Sequence, residues 1–333
     1  MIGKGGDNML KKLMLVPLIT IGATFAFAKV KEKRSYKSFL IEQVFKVTRS
    51  KLTFSTIEGA QRAQSVTQYE TKGLHQQPKH QFENTVERCD QNDTTTYIIN
   101  QQPDNAQDIV LYIHGGAWFK DPLQGHFEFV DQLASELSAT IIMPIYQKVP
   151  HADYRATFKL ITAIYERILD TYQAQDCSRI ILMGDSAGGQ IALAFAQLLK
   201  YKGMRQPDNI VLISPVLDAT FNHSATIEYE TVDPLLGIQG LNYFLKQWAA
   251  TLPLEHSILS PINGDMTGLG HITLVIGTKE LLYPDALRLS TKLNHNNIEH
   301  EFIVGYNQFH IYPIFNIPER RQTINKLKRI LKR

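Results

Sequence analysis

The residues with the most chemistry in this 333-residue chain are Gly184-Asp185-Ser186-Ala187-Gly188-Gly189. The apolar run Arg179-Ile180-Ile181-Leu182-Met183 precedes them, and residues 190–201 behind them read as a helix. A strand that delivers a serine into a sharp glycine-flanked turn presents the hydroxyl to a substrate. The glycines keep the strained turn clear of the strand and helix packed beside it. A serine held this way becomes a nucleophile for acyl transfer once a base takes its proton. Upstream, Ile109-Val110-Leu111-Tyr112-Ile113 reads as a second buried strand, running into His114-Gly115-Gly116-Ala117-Trp118. Glycines at that point let backbone N–H groups aim into a cavity. The amides of Gly115 and Gly116, with that of Ala187, are therefore candidate donors to the oxyanion that forms when an acyl carbonyl is attacked.

Together, H-G-G-A-W and G-D-S-A-G-G closely resemble the hormone-sensitive-lipase-like branch of the α/β-hydrolases, over roughly residues 107–312. The departure is Ala117, where many members carry a third glycine. The resemblance implies a triad in the chain order serine, acid, histidine. It puts the base in the loop after the last strand, which selects His310, behind Phe302-Ile303-Val304 and Gly305-Tyr306-Asn307-Gln308-Phe309. It puts the acid at the mouth of the strand Ile272-Thr273-Leu274-Val275-Ile276-Gly277, where Glu280 stands in place of the family's usual Asp. Asp285 is the alternative acid, although at Pro284-Asp285 it also suits a first helical turn, where a carboxylate complements the helix dipole. The resemblance further implies a helical cap drawn from residues 38–75 and 218–259. Trp118, Phe119 and, from the second cap segment, Trp248 are candidate walls of a substrate pocket. Asp185 is expected to serve as a hydrogen-bonding partner at the turn. No metal or cofactor is needed for this chemistry.

The elements that must hold these residues follow from hydrophobic pattern. Residues 139–146 and 209–215 are apolar strands, and residues 154–173 repeat Phe158, Ile161, Ile164 and Ile168 at helical spacing. Residues 81–101 alternate enough to open the domain as an antiparallel pair. Strand–helix alternation from Ile109 onward implies an α/β fold with a mostly parallel central sheet and helices on both faces. All the proposed catalytic residues then fall at the carboxyl ends of strands, where such sheets bind ligands. Residues 38–75 show helical spacing at their front, through Phe39, Leu40, Val44, Phe45 and Val47.

A hydrophobic content of 44% and a charged content of 20% belong to an ordinary globular protein, and a net charge of +3 carries no message about nucleic acid. Arg320, Arg321, Lys326, Lys328, Arg329, Lys332 and Arg333 fit a solvated C-terminal helix. Cys89 and Cys177 stand alone, without metal-type spacing. Residues 13–28 are apolar, led by Lys11 and Lys12 and closed by the cleavage-like Ala26-Phe27-Ala28. Lys29, Lys31, Lys33, Arg34 and Lys37 then outnumber the leading Lys4, Lys11 and Lys12, an asymmetry that holds the following domain on the cytoplasmic side. Residues 1–37 are accordingly expected to be a signal or anchor segment and basic linker outside the fold, and residues 38–333 the hydrolase domain. Membrane attachment through residues 13–28 is the first expectation and secretion the alternative. Lys4-Gly5-Gly6 can be encoded by a ribosome-binding sequence just ahead of Met9, which points to Met9 as the start. The functional expectation is a serine carboxylesterase or lipase acting on a small-molecule ester, short to medium in its acyl part. The alternatives are a peptidase or amidase on the same fold and a non-catalytic ligand-binding envelope protein.

Overall fold

Short runs, most of them apolar and rich in β-branched residues, pair here into one eight-stranded sheet whose strands, counted in chain order, lie 1-2-4-3-5-6-7-8. The computed structural model describes residues 22–102, 107–172 and 179–332. The opening hairpin is β1 (Val86–Gln91) and β2 (Thr94–Ile99), and β2 also runs antiparallel to β4 (Thr140–Ile145). The remaining strands are parallel: β3 (Ile109–Ile113), β5 (Ile180–Asp185), β6 (Asn209–Ile213), β7 (His271–Gly277) and β8 (His300–Gly305). The helices begin with α1 (Tyr36–Val47), α2 (Leu52–Ser55), α3 (Ile57–Thr67), α4 (Gln124–Leu137) and α5 (Tyr154–Tyr172). They continue with α6 (Ala187–Tyr201), α7 (Ser224–Tyr229), α8 (Ile238–Ala249), α9 (Tyr283–His295) and α10 (Pro318–Leu331).

The pleat divides the strands inside the polar, exposed edge strand β1 between two cores. Ile109, Leu111 and Ile113 of β3 join the core beneath α5, α6 and α9, whereas Val110 and Tyr112 join the one beneath α4 and α10. Strands buried on both faces are continuous apolar runs, because no position along them meets water. Each fully buried Leu, Ile or Phe contributes about 1.5–3 kcal/mol.

The two expected cap segments meet. Gln64 of α3 donates to Gln247 of α8 at 2.9 Å and accepts from the hydroxyl of Tyr243 at 2.9 Å. Phe54 of α2 packs edge-on against Phe244 of α8 and Phe119 of the core.

The boundary expected at residue 38 is corrected, because the chain ahead of it packs into the fold. Residues 22–26 are helical and lead into a π-helical turn, Phe27–Lys31, whose Ala28 is fully buried. Arg34 is buried against Glu42 (2.5 Å) and Glu32 (2.6 Å), so this cation is held by inward-facing carboxylates instead of lying in a solvated linker. Ser35 caps α1 by accepting from the amide of Ser38 at 3.1 Å, and its own amide and hydroxyl donate to Glu319 of α10 at 2.6 and 2.7 Å. Among the described residues, no helix is long and apolar enough to cross a membrane. Residues 13–21 of the expected attachment segment, the region of Met9 and Cys177 lie outside the described residues.

Candidate active site

β5 ends at Asp185 and α6 begins at Ala187, so Ser186 alone makes the turn, at φ +53° and ψ −120°. A non-glycine residue at such an angle costs about 1–3 kcal/mol unless its surroundings hold it there. Here the Ser186 amide donates to Ile213 O of β6 (2.9 Å), and the Val216 amide donates to Ser186 O (3.2 Å). The start of α6 lies so close to β3 that a Cβ on Gly188 would sit 2.0 Å from Ile113 O. Only glycine permits that approach.

The loop after β8 carries His310 to this turn. The Ser186 hydroxyl lies 3.0 Å from His310 Nε2, and His310 Nδ1 lies 2.6 Å from Glu280 Oε2. Glu280 Oε1 accepts from the amide of Gly277 (2.6 Å) and the hydroxyl of Ser214 (2.8 Å). Ser214 Oγ in turn accepts from the amide of Ile311 (3.0 Å), which ties the acid and histidine loops together. Buried Asp233 accepts from the amide of Leu281 at 2.7 Å and fixes the acid loop from its other side. Ser186 and His310 are 6% and 4% exposed, and Glu280 is fully covered. Burial favours the neutral imidazole of His310, but the hydrogen bond and charge of Glu280, with the charges of Asp233 and Asp185, outweigh it. The pKa of His310 is therefore held above its ordinary value. Asp285, the alternative acid, sits instead in the first turn of α9 and pairs with Arg288 at 2.7 Å. Burial pushes its carboxyl pKa up, against the pull of Arg288.

The loop after β3 corrects one expected donor. The Gly115 amide donates to Asp185 Oδ1 at 3.0 Å, so it is occupied within the protein and is not available to an oxyanion. Asp185 also accepts from the Tyr112 hydroxyl (2.7 Å) and contacts His126 Nε2 (3.1 Å). Burial opposes its charge, but His126, Tyr112 and the Gly115 amide outweigh that and hold its pKa below the ordinary carboxylate value. A Cβ on Gly115 would lie 2.3 Å from Asp185 Oδ2 and 3.0 Å from Ser186 Cβ, which explains the glycine at this position. Beyond it, Gly116, Ala117 and Trp118 all take positive φ (120°, 48° and 61°) and curl the backbone round. The amides of Gly116 and Ala117 have no hydrogen-bond partner among the described residues. That of Ala187 is the first orphan donor of α6. Ala117 thus joins Gly116 and Ala187 as a candidate donor. A backbone donor leaves no trace in side-chain type, and the only signal in the sequence was the position next to Gly116.

Trp118, Phe119 and Trp248 do not wall an open pocket: none is exposed at all. The Trp118 indole donates to Gln190 at 2.8 Å and stacks on Trp248, and Phe119 stacks on Phe244 with centroids 3.6 Å apart. Their aromatic area is used to fasten α8 to the loop after β3. Among the described residues, no cluster of His, Cys, Asp or Glu could hold a metal ion.

Comparison with known proteins agrees with this architecture. The α/β-hydrolase fold family matches residues 110–314, more than half of the chain, and the chain belongs to that family. It is 28% identical over 223 residues to an esterase of Acinetobacter venetianus, covering 66% of this chain and 73% of that one. It is 27% identical over 219 residues to an acetyl-hydrolase of Streptomyces hygroscopicus, covering 65% and 72%. Among solved structures, an esterase of the bacterial hormone-sensitive lipase family superposes with a TM-score of 0.74 at 21% identity, covering 90% of this chain and 98% of that one, a likeness of fold.

Proposed function

We propose that this chain is a serine hydrolase of carboxylic esters, working through Ser186, His310 and Glu280. The observation that carries the reading is the relay from serine to histidine to glutamate at 3.0 and 2.6 Å, beside the amides of Gly116, Ala117 and Ala187. Ser186 Oγ attacks the ester carbonyl carbon while its proton passes to His310 Nε2. Glu280, accepting from Nδ1–H, holds the ring's orientation and balances the imidazolium charge. The carbonyl oxygen becomes an oxyanion facing the three amides. Collapse of the adduct breaks the C–O bond, and the leaving alkoxide takes the proton from Nε2. Water then repeats the sequence on the acyl-enzyme, releasing the carboxylic acid and Ser186. Names of the relatives, esterase and acetyl-hydrolase, support the ester as substrate class.

The acyl part is proposed to be short to medium, because Ser186 and His310 are nearly closed off and Trp118, Phe119 and Trp248 are spent on joining α8 to the loop after β3. Hydrolysis of p-nitrophenyl esters from acetate to palmitate, with Ser186→Ala as blank, tests both parts. Serine-dependent turnover falling beyond about eight carbons is the expected result. A long-chain optimum would sink the acyl-length reading, and equal rates in enzyme and blank would sink the esterase. Attachment to a membrane through residues 13–28 stands as a separate proposal, tested by recovering the native chain from washed membranes with its N-terminal peptide intact.

A further inference from the structure

The helix α1 is inverted in polarity. Its inward face buries Ser38 and Glu42, which bond Gln308 (2.6 Å) and Arg34 (2.5 Å). Its outward face carries Leu40, Val44 and Val47, spaced as one stripe and 44%, 54% and 82% exposed. The stripe continues into the chain before it, where Phe25, Phe27 and Val30 are also exposed. Ring contacts of Phe25 with Tyr36 (5.4 Å), Tyr36 with Phe39 (6.0 Å) and Phe39 with Phe27 (6.1 Å) join the two parts into one surface. Contiguous apolar surface of this kind is uncommon on a protein that meets only water.

Charge indicates what covers it. Between residues 22 and 57 the exposed charged side chains are Lys29, Lys31, Lys33, Lys37, Lys46 and Arg49, all cationic. The two carboxylates of the stretch, Glu32 and Glu42, face inward onto Arg34 and Lys279. Glu42 also pairs with Lys46 at 2.5 Å, which leaves the five other exposed cations of the stretch without a carboxylate of their own in it. A second copy would bring like charge against like. An anionic lipid surface matches both features, apolar side chains entering the acyl boundary and lysines meeting headgroups. We infer that the outer face of residues 25–47 is a docking surface for an anionic bilayer, on which α1 lies in the interfacial plane. This inference rests on α1 and the turn before it, and shares only residues 25–28 with the attachment proposed through residues 13–28.

The opposite face of α1 gives the docking a consequence. Phe45 packs edge-on against Phe309 (5.2 Å), Ser38 bonds Gln308, and Lys279 pairs with Glu32 (2.5 Å). One helix therefore separates the proposed lipid surface from the loops bearing Glu280 and His310.

The test places a tryptophan on the stripe of the full-length chain, as Val44→Trp, with Tyr201→Trp as control. Tyr201 is 90% exposed at the far end of α6, about 22 Å along that helix from Ser186. Native Trp118 and Trp248 are buried and give a constant background. Vesicles of brominated phosphatidylglycerol should blue-shift and quench Val44→Trp and leave Tyr201→Trp unchanged. Brominated phosphatidylcholine should quench it far less, and Lys31→Ala, Lys33→Ala and Lys37→Ala should each weaken binding on the order of fivefold. If the chain sediments with vesicles while Val44→Trp stays in water, other residues hold it and the inference is overturned. A blue shift that follows protein concentration without lipid would assign the face to a second copy, also overturning it. Turnover of p-nitrophenyl butyrate in solution, measured on the same variants, reports separately on the esterase reading.

Discussion

Glu280 reaches His310 through one methylene more than an aspartate would, and both its oxygens are used. One meets the imidazole, and the other accepts from the Gly277 amide and Ser214. Glu280→Gln is expected to lower kcat by about 10⁴-fold, since an amide neither fixes the tautomer nor balances the imidazolium. Asp285→Asn should leave kcat nearly unchanged and lower the melting temperature, because it weakens the pair with Arg288. Equal losses of activity in the two variants would contradict the assignment. The pH profile carries a second expectation. In the proposed mechanism His310 acts as a base only when neutral, and its pKa is raised, so kcat/KM should rise with pH along a limb centred above the ordinary value of 6.5. In Glu280→Gln the residual activity should show that limb moved to lower pH, as burial is then opposed only by the smaller effects of Asp233 and Asp185. The same shift makes protonated His310 a stabilising group in acid, a contribution lost as pH rises through its folded-state pKa.

At the scale of elements, the strand-turn-helix unit and the loop after β3 form one assembly pinned by Asp185. Asp185→Ala removes the acceptor for Gly115 and the partner of Tyr112 and His126, leaving buried donors unmatched at about 1–3 kcal/mol each. A lower melting temperature and a kcat reduced about 10²–10³-fold, as for loss of an oxyanion donor, are the expected results. Gly188→Ala should prevent folding, since its methyl would meet Ile113 O at 2.0 Å; a soluble variant with native circular dichroism would contradict the packing described. Much of this assembly was legible in the sequence. Both strands are unbroken apolar runs, and glycine marks each place where backbones touch. The donor assignment was not, because whether Gly115 or Ala117 offers a free amide depends on where Asp185 points. Trp118, Phe119 and Trp248 misled for a related reason: a large aromatic side chain beside a site looks the same in sequence whether it lines a cavity or fills it.

At the scale of the whole molecule, the chain closes on itself through its N-terminal segment. Glu32 pairs with Lys279 across 247 positions, and the side-chain amide of Asn307 donates to Glu32 O at 2.9 Å. No periodicity or local motif encodes such contacts, and a run of lysines and arginine reads as a solvated linker until its partners are placed. A chain cut to begin at residue 38 loses Glu32, Arg34 and Ser35 together. It leaves Glu42 without its buried partner and Glu319 without Ser35. Such a chain should melt several degrees lower and turn over esters more slowly than the full chain, because the loops bearing Glu280 and His310 lose a wall. Thermal melting and p-nitrophenyl butyrate kinetics, run side by side, check this; unchanged values in both would show the segment to be dispensable.

The central claim is that Ser186 carries the acyl group. Rapid mixing of the full-length chain with p-nitrophenyl acetate, followed by acid quench and peptide mass analysis, tests it most directly. The expected result is early release of p-nitrophenol and an acetyl adduct on the peptide containing Ser186, both absent in Ser186→Ala. Turnover that persists in Ser186→Ala, or an adduct confined to another residue, would contradict the account.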